Sequence, residues 1–186
     1  INFGPNLSLD VLHSGTVSAA REASMYGLPS IATSLADYGS DNFEGAVKAT
    51  MKVVGMASEL LQDPPPSLMR PKGQDSKPCT EEFSTPVHQF LHANILLNLN
   101  IPSNWDRRFV TGPHGARWYK APTKINKGTT GTTIEVGAAT IINEGPLGSD
   151  THTVDSGGCS ITVMPTWPQL HPLSVPDEIL AEANHN

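Results

Sequence analysis

Two asparagines, a glycine turn and a run of small hydroxyl residues lie near the start of the chain. Asn2 and Asn6 flank Gly4, and in such a turn a ligand can approach the backbone closely while amide oxygens can meet a cation. Ser14-Gly15-Thr16 precedes an alanine-rich run, and a helix N-terminus offers free N–H groups and partial positive charge to an anion. The residue types and spacing therefore indicate a possible phosphate site.

Both features also have a purely structural explanation. Serine and threonine cap most helices without binding a ligand, and asparagine and glycine form turns for conformational reasons. Taken alone, the spacing favours an ordinary helix cap and turn over a phosphate site. The rest of the sequence is needed to distinguish these two explanations.

The elements around these residues alternate between helix and strand. Apolar residues at helical spacing predict the helices, and short alternating runs predict the strands. Between residues 17 and 101 the predicted elements are a helix over 17–26, a strand over 30–36, a helix over 41–61 and a half-buried strand over 97–101. Asp41 and Glu44 are predicted to form a capping box at the start of the second helix.

The rest of the chain has a different composition. Residues 63–87 are rich in Pro, Lys, Ser and Gln, which predicts a loop insertion. Residues 103–186 are predicted to be β-rich with a short final helix after Ser174, inside a single domain spanning 1–186. The strands predicted there are 108–111, 117–120, 132–142 and 159–164.

Charge and composition exclude several classes of partner. With 12 basic and 18 acidic residues the net charge is −6, which argues against nucleic acid or an anionic membrane surface as the main partner. No apolar run reaches the roughly 20 residues that span a bilayer, so we expect a soluble chain. Cys79 and Cys159 are far apart, which fits a reducing cytoplasm better than a disulfide framework.

The N-terminal pattern resembles the SurE family of 5′/3′-nucleotidases, gap-free over residues 1 to 36. In that family G-I-N-x-G-x-N is followed by Y-S-G-T-V-x-A-A. Shorter stretches, 96–102 and 148–165, are similar to the family's L-L-N-V-N-x-P and G-T-D…S-I-T-P-L segments. The matching N-terminal residues are Ile1-Asn2-Phe3-Gly4-Pro5-Asn6-Leu7, Ser14-Gly15-Thr16-Val17, Ala19-Ala20-Arg21-Glu22, Gly27-Leu28-Pro29 and Ser34.

The resemblance implies a fold, an activity and a site. The fold would be α/β, the C-terminal portion of a Rossmann-like three-layer sheet, with a β-rich C-terminal extension used to form a homodimer or homotetramer. The activity would be hydrolysis of nucleoside 5′/3′-monophosphates with Mg²⁺ or Mn²⁺. Asn2 would be a metal ligand, Asn6 and Ser14 would be catalytic, and both would bind the phosphate together with Gly15 and Thr16.

Some parts of the family pattern are missing or changed. The Asp-Asp-Gly motif and the serine loop that supply metal ligands have no counterpart here, and a hard divalent cation needs carboxylates. Ser8 stands where the family usually has glycine, and His13 replaces an aromatic residue, either as a proton donor or as a simple space filler. Because the chain opens at Ile1 directly on the glycine loop, we expect a piece of a longer protein.

Several other residues have both a functional and a structural interpretation. His88 and His92 have the spacing of a helical zinc pair, although exposed helix positions explain them better. A set of arginines and aromatic residues could stack on a nucleotide or form a subunit contact, and the contact is favoured. We expect Asp150 and His152 to form a structural turn first and an edge of the site second. The arginine and aromatic set is Trp105, Arg107, Arg108, Arg117, Trp118 and Tyr119.

Two hypotheses from different classes remain. In the first, the complete protein is a metal-dependent phosphomonoesterase that acts on nucleoside monophosphates. In the second, the chain is a non-catalytic phosphate-binding or oligomerisation module that lacks the acidic metal site.

Overall fold

A computed structural model describes residues 1–61, 85–121, 123–137 and 140–167. The described elements are strands β1 (Asn2–Phe3), β2 (Ile31–Leu35), β3 (Ile95–Ile101), β4 (Phe109–Thr111), β5 (Ala116–Lys120), β6 (Thr123–Gly128), β7 (Gly131–Val136), β8 (Thr140–Glu144) and β9 (Cys159–Pro165), and helices α1 (Gly15–Met25), α2 (Phe43–Leu60), α3 (Pro86–Leu91) and α4 (Asp150–Asp155), with a 3-10 helix over Ser8–Leu12.

The core of the fold is a mixed sheet with strand order β1-β2-β3-β9-β4. Strands β1, β2 and β3 are parallel, and β9 runs antiparallel to β3. Helix α1 connects β1 to β2 and helix α2 follows β2, as in a parallel α/β unit. The sheet therefore directs the carboxyl ends of β1, β2 and β3 to one edge, where such folds form their sites.

The two faces of the sheet bury different kinds of side chain. Towards α2, β2 and β3 present apolar residues such as Leu35, Leu99 and Ile101, all 0% exposed. Towards α1, the apolar contacts around Val17 and Ala32 give way, near the carboxyl ends, to polar side chains. This three-layer arrangement, with helices on both faces of a Rossmann-like sheet, confirms the predicted fold class. The polar residues are Ser34, Asn98, Asn100, Ser160 and Thr162.

The remaining strands form two ribbons outside the main sheet. Strand β5 pairs with β8, and β6 pairs with β7, each pair antiparallel. The 3-10 helix contacts β5, so the β5–β8 ribbon lies beside the loop that precedes α1. Helix α4 packs on β9 and β3.

Four local predictions need correction. Asn2 and Phe3, interpreted as part of a turn, form strand β1, and helix α2 is capped by Asn42 rather than Asp41. The single strand predicted over 132–142 is two strands, β7 and β8, in different sheets, because Gly137 takes a φ of +96° between them. Asn98 and Asn100, in the strand predicted to be half-buried over 97–101, are fully buried, because their side chains bond to the backbone of Asn6.

Two predicted segments fall largely or wholly outside the described residues. Of the insertion predicted over 63–87, residues 63–84 are not described, and Pro86 opens helix α3. The final helix expected after Ser174 is also outside the described part of the chain. The helix predicted over 17–26 and the strand predicted over 30–36 are confirmed as α1 and β2.

Candidate functional site

The loop from β1 to α1 starts at a position that only glycine fits. Gly4 has a φ of +101°, a left-handed conformation that favours glycine. A Cβ there would lie 2.2 Å from the ring of Tyr38. The Gly4 N–H donates to Leu35 O at 2.9 Å, which fixes the loop to the end of β2.

Two asparagines of β3 hold the backbone of Asn6. The Asn6 N–H donates to Asn100 Oδ1 at 2.7 Å. The Asn6 carbonyl accepts from Asn98 Nδ2 at 2.8 Å and from Asn100 Nδ2 at 3.0 Å. Asn98 and Asn100 are 0% exposed, and the Asn6 backbone pairs with both of their amide nitrogens and with Asn100 Oδ1. Asn98 Oδ1 is buried without a hydrogen-bond partner among the described residues.

Ser34 holds the Asn6 side chain. Asn6 Nδ2 donates to Ser34 Oγ at 2.7 Å, and both residues are buried. Register places Asn2 beside Ser34 and Ser34 beside Asn100, so these three side chains lie on one face of the sheet. The structure thus brings the two predicted asparagines, Asn2 and Asn6, to the same part of the sheet.

Asn2 lies at the edge of the site and is half-buried. Its Nδ2 donates to Gly4 O at 2.9 Å, so its Oδ1 is the atom left to face a ligand. Asn2 and Thr16 line a common groove of about 530 Å³ between the start of β1 and helix α1. The metal-ligand candidate therefore lies next to the predicted phosphate-binding turn of the helix.

Ser14 caps helix α1. Its Oγ accepts from Val17 N at 3.0 Å, and its own hydroxyl proton is still available to a ligand. The N–H groups of Gly15 and Thr16 belong to the first turn, where the helix supplies no acceptor. A Cβ on Gly15 would meet nothing within 4 Å, so the space in front of this turn is open.

Ser8 accounts for one departure from the family pattern. Its φ is +51°, the left-handed conformation that explains why glycine would fit this position well. Serine adds contacts that glycine lacks, since Ser8 Oγ donates to Gly115 O at 2.7 Å and accepts from Arg117 N at 3.1 Å. The hydroxyl therefore ties the loop to the base of β5.

Asp150 fixes the same loop from another side. Its carboxylate is 1% exposed and accepts from Ser8 N at 2.9 Å, from Gly115 N at 2.7 Å and from His114 Nδ1 at 2.8 Å. Burial alone would raise the pKa of Asp150, but the hydrogen bonds from His114, Gly115 and Ser8 outweigh it and hold the pKa below the ordinary value. Asp150 thus contacts the loop that carries Asn6.

The described residues do not fit a divalent metal by themselves. Asn2 contributes one neutral oxygen, and the described parts of the chain hold no group of three His, Cys, Asp or Glu that could bind a metal. A hard cation such as Mg²⁺ or Mn²⁺ needs carboxylate oxygens. Any such metal would need acidic ligands from outside these residues.

The arginine and aromatic residues expected at a nucleotide or subunit contact do not converge. Buried Arg117 lies 3.3 Å from Asp10, measured from Nε to Oδ2, and donates to Tyr119 Oη at 3.0 Å. Arg108 instead pairs with Asp106 and donates to the Ser156 carbonyl. These arginines therefore hold loops within the chain.

The remaining predicted histidine pair is a feature of α3. His88 lies within the helix and His92 follows its last turn, with ring centroids 4.1 Å apart. Among the residues that the structure describes, they belong to no group of three or more side chains that could bind a metal.

No helix in the described part of the chain is long and apolar enough to cross a membrane.

Sequence reasoning missed Ser34, Asn98 and Asn100 as parts of the site. Their signal was present, because residues two apart in a strand share a face, and Asn98 and Asn100 alternate with leucine and isoleucine. The alternation predicts a half-buried strand with the asparagines on its exposed face. It instead marks the face that receives the loop.

Comparison with known proteins identifies the family that this chain resembles. The family model described as "Survival protein SurE" matches residues 1–123. The "5'-nucleotidase SurE" of Pseudoalteromonas atlantica is 32% identical over 87% of this chain and 55% of its own length. That of Clostridium beijerinckii is 36% identical over 60% of this chain and 34% of its own length. The chain spans about half the length of two curated relatives that match 87% of it.

A solved structure has the same fold. The crystal structure of the Sure protein from Aquifex aeolicus superposes with a TM-score of 0.58 at 23% identity, covering 100% of this chain and 62% of that one. At this identity the likeness shows the fold alone. The family match over 123 of the 186 residues, together with the loop and helix geometry, settles membership. The chain belongs to the SurE family.

Proposed function

We propose that this chain supplies the phosphate-binding part of a phosphatase that hydrolyses nucleoside 5′/3′-monophosphates to nucleoside and phosphate. The observation that carries the proposal is the buried anchoring of Asn6 in the loop that leads from β1 to the open first turn of α1. The relatives' name, 5'-nucleotidase, supports the substrate class.

In this proposal each residue has a defined task. The Gly15 and Thr16 N–H groups and the Ser14 hydroxyl donate to the phosphoryl oxygens, where the helix dipole favours negative charge. The Asn6 side chain adds a further polar contact from the loop between β1 and α1. Preorganised donors of this kind stabilise the charge that develops on phosphoryl oxygens in the transition state.

We further propose that a divalent metal, Mg²⁺ or Mn²⁺, is held by Asn2 Oδ1 together with carboxylates from outside the described residues. The metal would supply Lewis-acid polarisation of the ester. The orientation of Asn2, with its amide nitrogen already donated to Gly4 O at 2.9 Å, supports a ligand role for its oxygen. The proposed cytoplasmic location rests on the sequence alone.

Steady-state kinetics of the full-length protein test this proposal. We expect phosphate release from nucleoside monophosphates that needs added Mg²⁺ or Mn²⁺. Replacing Asn6 or Ser14 by Ala should lower kcat by about 10²-fold and change KM less, because donors that act in the transition state mainly affect the barrier.

Ser18→Ala is the matched control for Ser14→Ala. Ser18 lies on the same helix, is exposed and lies outside the proposed site, so this variant should keep the parent kcat. Equal turnover in the Asn6→Ala, Ser14→Ala and parent proteins would show that the assigned residues do not act on the reaction.

The second candidate function is a module that binds phosphate or self-associates without catalysis. The lack of a three-ligand acidic group among described residues favours it. In that case the full-length protein would bind inorganic phosphate but release none from nucleoside monophosphates with either metal. Self-association is supported by the apolar residues that the β6–β7 ribbon exposes, Ile125, Ile134 and Val136. We propose that this ribbon assembles the protein into a homodimer or homotetramer.

A further inference from the structure

The orientation of the Asn6 side chain presents a chemical conflict. In this structure Asn6 Nδ2 donates to Ser34 Oγ at 2.7 Å, so the oxygen Oδ1 faces away from Ser34. An amide oxygen accepts hydrogen bonds and repels phosphoryl oxygens, whereas the amide nitrogen donates two. In this orientation Asn6 can therefore offer phosphate at most the second N–H of its amide nitrogen, and it can offer both only after the carboxamide turns over.

The surroundings restrict this change to the side chain. The Asn6 N–H and carbonyl are both bonded to buried asparagines of β3, at 2.7 Å to Asn100 and 2.8 Å to Asn98. With the backbone held on both sides, the carboxamide can only rotate about its own bonds. Ser34 is 0% exposed, so its hydroxyl is shielded from bulk solvent.

A serine hydroxyl both accepts and donates. It can accept from Nδ2, as here, or donate its proton to Oδ1 after the carboxamide turns over. We propose that Ser34 is a positioning residue that sets which end of the Asn6 carboxamide faces the phosphate. With phosphate bound, Ser34 Oγ–H donates to Asn6 Oδ1 and the amide nitrogen donates to a phosphoryl oxygen. This inference rests on the proposed phosphatase function.

The test compares two neighbouring residues of β2. Ser34→Ala removes the hydroxyl that contacts Asn6. Thr33→Val is the matched control, because Thr33 lies on the opposite face of the sheet and its Oγ1 contacts Thr50 Oγ1 at 2.7 Å. In the full-length protein we expect kcat to fall about tenfold for Ser34→Ala and less than about twofold for Thr33→Val.

A double-mutant cycle separates positioning from general stability. If Ser34 acts through Asn6, Ser34→Ala should cause no further loss of kcat in the Asn6→Ala background. Independent, multiplicative losses would overturn the inference. Ser34→Cys gives a second variant with similar volume and a weaker donor and acceptor, and it should lose activity in the same direction if Ser34→Ala folds poorly.

A measurement without turnover keeps the two proposals distinguishable. The Asn6 side-chain amide protons should be protected from exchange in the parent protein and in Thr33→Val, and should lose protection in Ser34→Ala. Adding inorganic phosphate should change the Asn6 amide signals in the parent and in Thr33→Val but not in Ser34→Ala. If the parent protein is inactive but shows these NMR effects, the proposed phosphatase function is contradicted and the positioning role of Ser34 is retained. If the parent protein is active and Ser34→Ala behaves like Thr33→Val, only the positioning role of Ser34 is contradicted.

Discussion

Ser8 shows how one residue can combine a strained backbone with compensating contacts. Its φ of +51° costs about 1 to 2 kcal/mol for a residue with a Cβ. Its hydroxyl makes two hydrogen bonds, with Gly115 O and Arg117 N, in a buried position. The net effect is a loop that is held against β5 although its conformation suits glycine.

Replacing Ser8 separates these two contributions. Ser8→Ala keeps the strained backbone and loses both hydrogen bonds, so we expect the free energy of unfolding to fall by about 2 to 3 kcal/mol. Ser8→Gly loses the same bonds but removes the strain, so it should be more stable than Ser8→Ala by about 1 kcal/mol. Denaturant unfolding measures both; equal stabilities would mean that the backbone at Ser8 is not strained.

At the scale of elements, helix α4 connects the β-rich half of the chain to the site. Asp150 is its first residue, and its buried carboxylate accepts from Ser8 N on the loop and from Gly115 N. Its pKa is lowered in the folded state, because these hydrogen bonds and that from His114 outweigh the effect of burial. Ionised Asp150 therefore stabilises the folded protein.

The pH dependence of stability tests this link. A carboxyl with a lowered folded pKa contributes stability that is fully present above its unfolded pKa, about 4, and is lost as the pH falls through the lower folded value. We expect the free energy of unfolding to fall with pH in that acid range, and Asp150→Asn to flatten the fall. Asp155→Asn, on the exposed end of the same helix, is the control; a parent-like acid slope in Asp150→Asn would contradict the assignment.

Local pattern was sufficient for some elements and not for others. Helix α1 and strand β2 follow from periodicity and from Gly27, which ends the helix with a φ of +87°. The burial of Asn98 and Asn100 does not follow from local pattern, because their partners are backbone groups of Asn6 more than 90 residues away. Contacts between distant parts of the chain decide that burial, and a single sequence does not display them.

At the scale of the whole molecule, the β6–β7 ribbon lacks a covering layer among the described residues. Ile125 and Ile134 lie directly opposite each other and are 60% and 64% exposed. Val136, on the same face, is 80% exposed. A two-stranded ribbon is only marginally stable in water, so a second copy of the chain would stabilise it by burying this apolar face.

Sedimentation of the full-length protein at micromolar concentration checks the proposed assembly. We expect the mass of a dimer or tetramer for the parent protein. Ile134→Lys should weaken self-association by at least about tenfold, since it buries an unpaired charge. Thr133→Lys adds the same charge to the opposite face of β7 and should keep the parent mass; a monomeric parent, or an unchanged Ile134→Lys, would argue against this interface.

The binding of phosphate at the start of α1 is the claim on which the functional account depends. NMR titration of the full-length protein with inorganic phosphate measures it directly, through the backbone amides of Gly15 and Thr16. We expect both amide signals to move downfield along one saturating curve, while chloride at equal ionic strength leaves them in place. Phosphate-induced shifts confined to other parts of the chain would contradict the account.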